Sequence, residues 1–381
     1  MKPLLAAGLL LFFAQAHAAC DLTTWQAPRD EKCAREWMDE NLHINDLLNI
    51  GTHNSYKSAI PDAEMAQLRT RSSKAATVLD YSHRPLNEEL DAGARQLELD
   101  VYYDPQGGRF ADPAGPRALG QHLDAAMAAE FAKPGFKVMH IPDFDFRSTC
   151  VLFTWCLHTI KAWSAAHPDH TPILILINAK DDNPLGSGAA AVLKFDAAAF
   201  DALDAEVASV FADKQLITPD QVQGKYKTLR EAVHAGGWPK LGEARGRIFF
   251  ALDEAPAKVA IYRGERRSLE GRRMFVNTDE DSPAAAYMTL NEPLQDASRI
   301  REAVEEGLIV RTRADADTIE AREGKTERRE TALRSGAQYV STDYMQPDPR
   351  FGKYSVKLPD GVTTVCNPVR AKRRCGGLAV K

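Results

Sequence analysis

The sequence predicts an α/β protein folded as one closed parallel barrel, and three observations support this prediction. Short apolar runs alternate along the 381 residues with segments whose spacing is typical of helices. Such alternation predicts parallel strands joined by crossover helices. The apolar runs number eight, as in a (β/α)₈ barrel. An open doubly wound sheet is the alternative, but no Gly-x-Gly-x-x-Gly follows any predicted strand.

The elements follow in a regular order. Strands are predicted over residues 46–51, 95–103, 136–141, 172–179, 246–253, 273–278, 308–314 and 338–344. Helical segments are predicted over residues 150–167, 200–213, 298–307 and 317–337. Gly307 and Gly336 stand where helix C-caps are expected, and Asp317 with Glu320 resembles a capping box.

Two segments lie outside the repeating pattern. Residues 104–135 are rich in Pro and Gly and are predicted as an insertion after strand two. Residues 345–381 are predicted as a disulfide-pinned C-terminal tail. With no low-complexity linker in the chain, the prediction is a single TIM-like barrel domain.

The first residues have the pattern of an export signal. Lys2 gives the positive start, residues 4–13 the apolar core, and residues 16–18 the small-x-small cleavage pattern. We therefore expect residues 1–19 to be a signal peptide and residues 20–381 to form the mature domain, secreted or periplasmic. No later apolar run reaches the roughly 18 residues of a transmembrane helix.

The six cysteines fall into three near-neighbour couples along the chain. Export leads to an oxidising compartment, where cysteines pair. Fifteen connectivities exist in principle, and we predict the sequence-local one: Cys20–Cys33, Cys150–Cys156 and Cys366–Cys375. No couple has the Cys-x-x-Cys spacing of a metal site. A lipid anchor at Cys20 is not expected, because His17 stands where a lipidation signal has Leu or Val.

The charge balance argues against one class of partner. The formal net charge is −5, and basic residues form no long tract. Nucleic-acid binding is therefore not expected.

Carboxylates at the end of strand two predict a cation site. In a parallel barrel, the active site lies at the C-terminal ends of the strands. Glu98 and Asp100 are two residues apart and share one face of their strand, where they repel unless a proton or cation lies between them. With Asn54 after strand one they form an all-oxygen set that suits Ca²⁺ or Mg²⁺. The alternative is a structural network in which Lys or Arg pairs with both acids.

Histidines and cations mark other strand ends. His53 and His140 follow strands one and three, and two such histidines can divide acid and base work. A lone strand-end histidine is more often structural. Arg311 and Arg313 share a face and, with Lys180, predict an anion site suited to phosphate. The alternative is that these cations balance the acidic residues.

Four runs of residues carry a resemblance to a known family. They are GTHNSY (51–56), YSHRPLNEELDAGARQLELDVYYDP (81–105), HIPDFDFRSTC (140–150), and GLIVRTRADADT (307–318) with SGAQYVSTDY (335–344). These runs resemble the calcium-dependent phosphoinositide phospholipase C-like proteins of bacteria. That family lies in the superfamily of TIM-barrel phosphodiesterases, with the eukaryotic phospholipases C and the glycerophosphodiester phosphodiesterases. The resemblance covers nearly the whole mature chain.

The resemblance implies roles for the matching residues. His53 and His140 resemble the catalytic pair, and Asn54, Glu98 and Asp100 resemble metal ligands. The implied reaction is general acid–base cleavage of the glycerol–phosphate bond, in which a neighbouring inositol hydroxyl attacks phosphorus and a cyclic phosphate forms before water opens it. The resemblance leaves open which histidine is the acid and which is the base.

Strand four departs from the family pattern. Asn178 stands where the eukaryotic relatives have a Glu that completes the metal site, so it is expected either to bind the cation or to contact substrate, with Asp181 as a substitute ligand. Lys180 resembles a phosphate-contacting position. Arg311, Arg313 and Tyr344 are expected at the head group.

The implied function is an exported phospholipase C that uses Ca²⁺, or Mg²⁺, on a phosphoinositide lipid, with transient contact at the membrane surface. Two alternatives remain. One is a glycerophosphodiester phosphodiesterase that acts on a soluble substrate. The other is an inactive barrel that binds a phosphate-bearing head group, which the Asn178 departure favours.

Overall fold

The structure of the protein is a computed structural model that describes residues 21–23, 31–184, 191–371, 374–375 and 378–380. The predicted signal peptide and Cys20 lie outside the described residues.

The described residues form ten strands, of which eight build the barrel. The strands are β1 (Leu47–Thr52), β2 (Gln96–Tyr102), β3 (Lys137–Val138), β4 (Ile173–Lys180), β5 (Ile248–Leu252), β6 (Met274–Val276), β7 (Tyr287–Thr289), β8 (Ile309–Arg313), β9 (Tyr339–Thr342) and β10 (Thr364–Cys366). The order around the barrel is β6-β5-β4-β2-β1-β9-β8-β7, and neighbouring strands are parallel. A parallel bridge between Asn277 and Tyr287 brings β6 beside β7 and nearly closes the circle. The predicted (β/α)₈ architecture is confirmed.

Helices surround these strands. They are α1 (Glu31–Asn41), α2 (Asp62–Arg71), α3 (Ser73–Val78), α4 (Leu86–Asp91), α5 (Ala114–Ala118), α6 (Ala125–Ala132), α7 (Phe153–Ala166), α8 (Ala197–Val210), α9 (Pro219–Gln223), α10 (Leu229–His234), α11 (Leu241–Ala244), α12 (Pro256–Arg263), α13 (Pro293–Glu305), α14 (Ile319–Glu323) and α15 (Glu327–Ser335). Short 3₁₀ turns cover Ile44–Asp46, Asp213–Gln215 and Pro359–Gly361. In the described part of the chain, no helix combines the length and apolar character needed to cross a membrane.

The burial of β2 and β4 explains why these strands could be predicted from apolar runs in the sequence. Every residue of β2 is buried, as are six of the eight in β4, because helices cover one face and the barrel interior the other. Strands buried on both faces are continuously apolar rather than alternating. The run Ile173–Ile177 lies in the main hydrophobic core with Leu97, Leu99 and Val101.

The third predicted strand is wrong as a barrel strand. Residues 136–141 yield only the two-residue β3, which pairs antiparallel with β2 through Val101–Val138 and Tyr102–Lys137. The actual barrel includes β7, a three-residue strand that was missed because the apolar run around it, residues 284–288, is mainly alanine. The apolar residues of 136–141 join the insertion to the barrel instead, since Phe136 and Val138 lie in the main core and Met139 lies in the small core of the insertion.

The insertion after β2 returns the chain to the barrel mouth. It contains α5 and α6 and ends at β3. Its small core includes Phe110 and Phe131, which pack with Tyr102 of β2 and Phe146. Because β3 runs antiparallel to β2, the residues that follow it pass beside Asp100, where the Met139 N–H donates to the Asp100 carbonyl (3.2 Å).

The two helix C-caps predicted from glycines are confirmed, whereas the predicted N-terminal capping box is not. Gly307 and Gly336 follow α13 and α15 with φ of 102° and 101°, as expected for C-caps. The single helix predicted over 317–337 is divided into α14 and α15 around Gly324. The Asp317 capping box is wrong, because α14 begins at Ile319 and the Glu320 carboxylate accepts the Ala316 N–H (2.9 Å).

Two of the predicted disulfides lie within the described residues. Cys150 is bonded to Cys156 at the start of α7, and Cys366 in β10 to Cys375, as predicted. Cys33 is also disulfide-bonded, while Cys20 lies outside the described residues. β10 pairs antiparallel with the first half of β1, which pins the tail.

Candidate active site

A tight loop after β1 places His53 and Asn54 at the mouth of the barrel. Asn54 has a φ of 48°, in the left-handed region that Asn tolerates better than most residues. The Ser55 hydroxyl accepts the Glu98 N–H (2.8 Å), and the Ser55 N–H donates to the Glu98 carbonyl (3.0 Å). These two bonds hold the loop against the acidic part of β2.

His53 is held by a buried carboxylate. Its Nδ1 lies 2.9 Å from Asp343 Oδ1, and its Nε2 lies 3.8 Å from Glu98 Oε1 and 3.5 Å from Arg313. Burial, followed by the charge of Arg313, lowers the pKa of His53 against the opposing pull of Asp343 and Glu98. In a neutral ring that donates from Nδ1 to Asp343, Nε2 is unprotonated and can accept a proton.

Asp343 connects His53 to a second histidine. His83 Nε2 lies 3.8 Å from Asp343 Oδ1, and His83 Nδ1 lies 3.7 Å from Glu89. Although burial acts against it, the nearness of these two carboxylates raises the pKa of His83 to about 9. Although burial also opposes it, the hydrogen bond from His53, the neighbouring His83 and the charge of Arg313 hold the pKa of Asp343 far below its usual range. Asp343 is therefore a stable anion behind His53.

His140 has a separate carboxylate partner. Its Nδ1 lies 2.7 Å from Asp145 Oδ2, and Lys57 Nζ lies 3.0 Å from Asp145 Oδ1. Burial raises the pKa of Asp145, but the Lys57 charge and the His140 bond outweigh it and lower the pKa. His140 therefore shares with His53 a buried carboxylate at Nδ1, and among the described residues no hydrogen bond to His140 Nε2 is found.

Tyr81 links the two histidine sites. Its hydroxyl accepts the Asn54 side-chain N–H (2.8 Å) and lies 3.4 Å from His53 Nδ1. Its carbonyl accepts from Lys57 Nζ (2.9 Å), the lysine that pairs with Asp145. One buried polar network thus connects both histidines and the Asn54 amide.

Both members of the acidic pair have cationic neighbours. Glu98 Oε2 accepts from Arg311 (2.6 Å), and Glu98 Oε1 accepts from the Asn178 amide (2.9 Å). Burial raises the pKa of Glu98, but the Arg311 charge leads a set of cations that lowers it, so Glu98 stays ionised. Asp100 forms an ion pair with Lys180 (3.3 Å).

One observation indicates that the side-chain oxygens at the mouth fit a hard divalent cation. Both carboxylate oxygens of Asp100 are buried and accept no hydrogen bond from the described residues. Buried acceptors usually have partners, and a cation would satisfy both oxygens. Glu98 lies two residues before Asp100 on β2, and Asn54 lies in the loop after β1, and both supply further oxygens. Among the described residues, no group of three or more His, Cys, Asp and Glu side chains is arranged to hold a metal, and the candidate set here combines two carboxylates with an Asn amide.

The predicted substrate-contacting residues fall into two groups. Lys180, with 32% of its side chain exposed, and Arg313 reach the mouth. Asp100 is the main cause that raises the pKa of Lys180, so this lysine stays charged. Arg311 is 1% exposed and bound to Glu98 and Asn291. The Tyr344 ring is buried against Phe351 and Tyr354.

Sequence reasoning left several residues of this network out of the candidate site: Lys57, Tyr81, His83, Asp145, Asp253 and Asp343. Asp145 and Asp343 follow strand ends, which was a usable signal. Asp253 follows β5 in the same way, and burial raises its pKa to about 6. Lys57 gave no signal, because lysine is rarely buried and its location depends on the path of the loop.

Comparison with known proteins shows the lineage of this barrel. The family model described as Ca²⁺-dependent phosphoinositide phospholipase C matches residues 42–368. A calcium-dependent phosphoinositol-specific phospholipase C from a Gram-negative Pseudomonas species, in its apo form, is 17% identical; the match covers 86% of this chain and 96% of that chain, with a TM-score of 0.51. A Ca²⁺-dependent phosphatidylinositol-specific phospholipase C from Streptomyces antibioticus is 18% identical, with 86% and 99% covered and a TM-score of 0.52. No match was found among curated proteins.

The barrel and the family match define the class as a phosphoric diester hydrolase of the phospholipase C type. At 17–18% identity, the solved structures show a shared fold. The match over residues 42–368 goes further: the chain belongs to the Ca²⁺-dependent phosphoinositide phospholipase C family.

Proposed function

We propose that this protein is an exported phospholipase C that cleaves the glycerol–phosphate bond of a phosphoinositide with Ca²⁺. The observation that carries the proposal is the pair of histidines, each held at Nδ1 by a buried carboxylate (2.9 Å for His53, 2.7 Å for His140). A carboxylate at Nδ1 fixes the ring and its tautomer, which prepares Nε2 to accept or donate a proton.

The two histidines divide the proton transfers. One accepts the proton of the inositol hydroxyl that attacks phosphorus, and the other donates a proton to the departing glycerol oxygen. The attack forms a cyclic phosphate, which water then opens. Asp343 and Asp145 keep their charges through both steps because their pKa values lie below the ordinary range.

The remaining mouth residues orient the phosphate. Lys180 and Arg313 keep positive charge at the mouth and can bind the phosphodiester oxygens. Asn54, Glu98 and Asp100 would hold the cation, with Asn178 as a further oxygen ligand. When bound, Ca²⁺ lowers the pKa of the attacking hydroxyl and neutralises phosphate charge.

Export is part of the proposal. Its support is the sequence pattern of residues 1–19 together with the disulfides Cys150–Cys156 and Cys366–Cys375, which form in oxidising compartments. Detection of the mature chain, beginning near Cys20, in the periplasm or medium would test it. Retention of the full-length chain in the cytoplasm would contradict it.

The main test is turnover of phosphatidylinositol by the purified protein, first with EGTA and then with Ca²⁺ or Mg²⁺ restored. We expect EGTA to abolish turnover and Ca²⁺ to restore it. Turnover that is indifferent to EGTA would remove the metal from the proposal. His53→Ala and His140→Ala should each lower turnover by about 10²- to 10⁴-fold.

The choice of substrate separates this proposal from its alternatives. A phospholipase C cleaves intact phosphatidylinositol, whereas a glycerophosphodiester phosphodiesterase cleaves only deacylated glycerophosphoinositol. An inactive head-group binder would bind inositol phosphate and turn over neither substrate. The pairing of Glu98 with Arg311 and Asn178 favours this last alternative, because the negative charge of the Glu98 carboxylate is already balanced by Arg311.

A further inference from the structure

The acidic pair that would bind the cation already has a balanced charge. Arg311 lies 2.6 Å from Glu98, and Lys180 lies 3.3 Å from Asp100. Two carboxylates and two cations sum to a formal charge of zero. A divalent ion that enters this set therefore adds two positive charges to a neutral site, beside two cations that repel it.

The two cations differ in their freedom to move away. Lys180 stands at the end of β4, and about a third of its side chain is exposed, so its ammonium group can turn toward solvent or substrate. Arg311 lies within β8, is 1% exposed, and also donates to Asn291 (2.5 Å). Its guanidinium has no comparable route to solvent.

The burial of Arg311 also argues against a direct role with substrate. A phosphate ligand must reach the guanidinium, but two of its nitrogens already serve Glu98 and Asn291. Arg313, two residues further along the strand, is nearer the mouth and pairs with Asp343 at the longer distance of 3.3 Å. The two arginines of β8 thus serve different partners.

We propose that Arg311 is an internal cation that competes with the divalent ion for Glu98. It keeps the metal-free barrel stable and weakens Ca²⁺ binding, and Lys180 adds a smaller, movable contribution through Asp100. This inference rests on the proposed cation site of Asn54, Glu98 and Asp100. It predicts that removal of the Arg311 charge strengthens cation binding while it destabilises the metal-free protein.

The test is calorimetric titration with Ca²⁺ of the full mature chain, compared among wild type, Arg311→Met and Arg313→Met. We expect Arg311→Met to lower the Kd for Ca²⁺ by roughly tenfold or more, since a nearby unit charge in a partly buried site has a large effect. Arg313→Met is the matched control. It removes an arginine from the same strand, but from Asp343 rather than Glu98, and should tighten binding much less.

Thermal unfolding gives a second measurement that does not depend on activity. Without metal, Arg311→Met should melt below wild type, because Glu98 loses its buried partner. Saturating Ca²⁺ should raise the Tm of this variant more than that of wild type. If Arg311→Met does not fold, Lys180→Met serves instead, because its side chain is partly exposed, and it should show a smaller tightening.

A folded Arg311→Met that binds Ca²⁺ no more tightly than wild type would overturn the inference. Turnover distinguishes this failure from failure of the proposed function. If wild type needs Ca²⁺ for turnover and Arg311→Met binds Ca²⁺ with unchanged affinity, only the proposed competition between Arg311 and Ca²⁺ is wrong. If neither protein binds Ca²⁺, the cation site and the competition are both wrong.

Discussion

The buried Lys57 gives the sharpest prediction about how His140 is positioned. Lys57 and Asp145 have fully buried side chains and form an ion pair of 3.0 Å, and Asp145 holds His140 at 2.7 Å. In Lys57→Met, the Asp145 carboxylate loses the largest favourable cause of its low pKa. Its pKa should rise, and its hold on His140 should weaken.

The expected magnitude follows from two effects. Removal of one partner from a buried ion pair costs about 3–5 kcal/mol of the free energy of unfolding. Loss of a residue that orients a functional histidine lowers activity by about 10- to 100-fold, the range seen when the hydrogen-bond partner of a metal-binding histidine is removed. We expect kcat to fall while KM changes little, because Lys57 does not reach the mouth.

A second buried lysine provides the control. Lys137 is equally buried and pairs with Asp104 at 3.1 Å, but its pair does not touch either histidine. Lys137→Met should therefore lose similar stability in urea unfolding and keep most of its kcat. An equal loss of kcat in both variants would show that the effect is general damage to the fold and would refute the reasoning.

The pH profile adds a readout that a purely structural role would not move. A carboxylate with a lowered folded pKa contributes stability above its unfolded pKa, and this contribution is lost as pH falls through the folded pKa. In Lys57→Met the folded pKa of Asp145 is less depressed, so kcat should be lost at higher pH than in wild type. The loss of stability on acidification should be smaller and should end at higher pH.

Three further predictions concern other buried groups. Asp343→Asn should lower kcat by about 10²- to 10⁴-fold with little change in KM, since the amide can no longer fix the His53 tautomer; an unchanged kcat would contradict the role of Asp343. Burial raises the pKa of Glu206 to about 7. Because the unfolded chain releases this proton at lower pH than the folded protein, the free energy of unfolding falls as pH rises from the ordinary pKa of Glu to about 7. In urea unfolding, the free energy of unfolding of Glu206→Gln relative to wild type should therefore rise by about 3 kcal/mol between about pH 4 and pH 8. A difference between the two proteins that does not change with pH would refute this. Replacing both Cys366 and Cys375 with Ser should cost about 2–3 kcal/mol of the free energy of unfolding, and an unchanged Tm would show that β10 needs no covalent tie.

The fold was predictable wherever a strand is buried on both faces. β2 and β4 are continuously apolar, so their positions were clear from the sequence. β7 was missed because it has three residues and its apolar run, residues 284–288, is mainly alanine, a weak strand former. β3 was misplaced for the opposite reason, since packing of the insertion needs apolar residues without using them as barrel strands.

The site was predictable at strand ends and unpredictable in its pairings. His53, Asn54, Glu98 and Asp100 could be proposed because parallel strands bring their ends together. The partner of Arg311 could not be foreseen, because Glu98 lies 213 residues away along the chain and phosphate is an equally good ligand for arginine. The choice between them depends on the depth of the side chain, which only the three-dimensional structure supplies.

The pairing of β10 with β1 has a consequence for the order in which the barrel folds. Residues Thr364–Cys366 complete the hydrogen bonds of Leu47–Asn49, so the first barrel strand is finished by a segment that follows all the other barrel strands in the chain. Because closing so long a loop costs entropy before the contact stabilises the fold, we expect this pairing to form after the more local contacts. The Cys366–Cys375 bond then fixes this final strand in place.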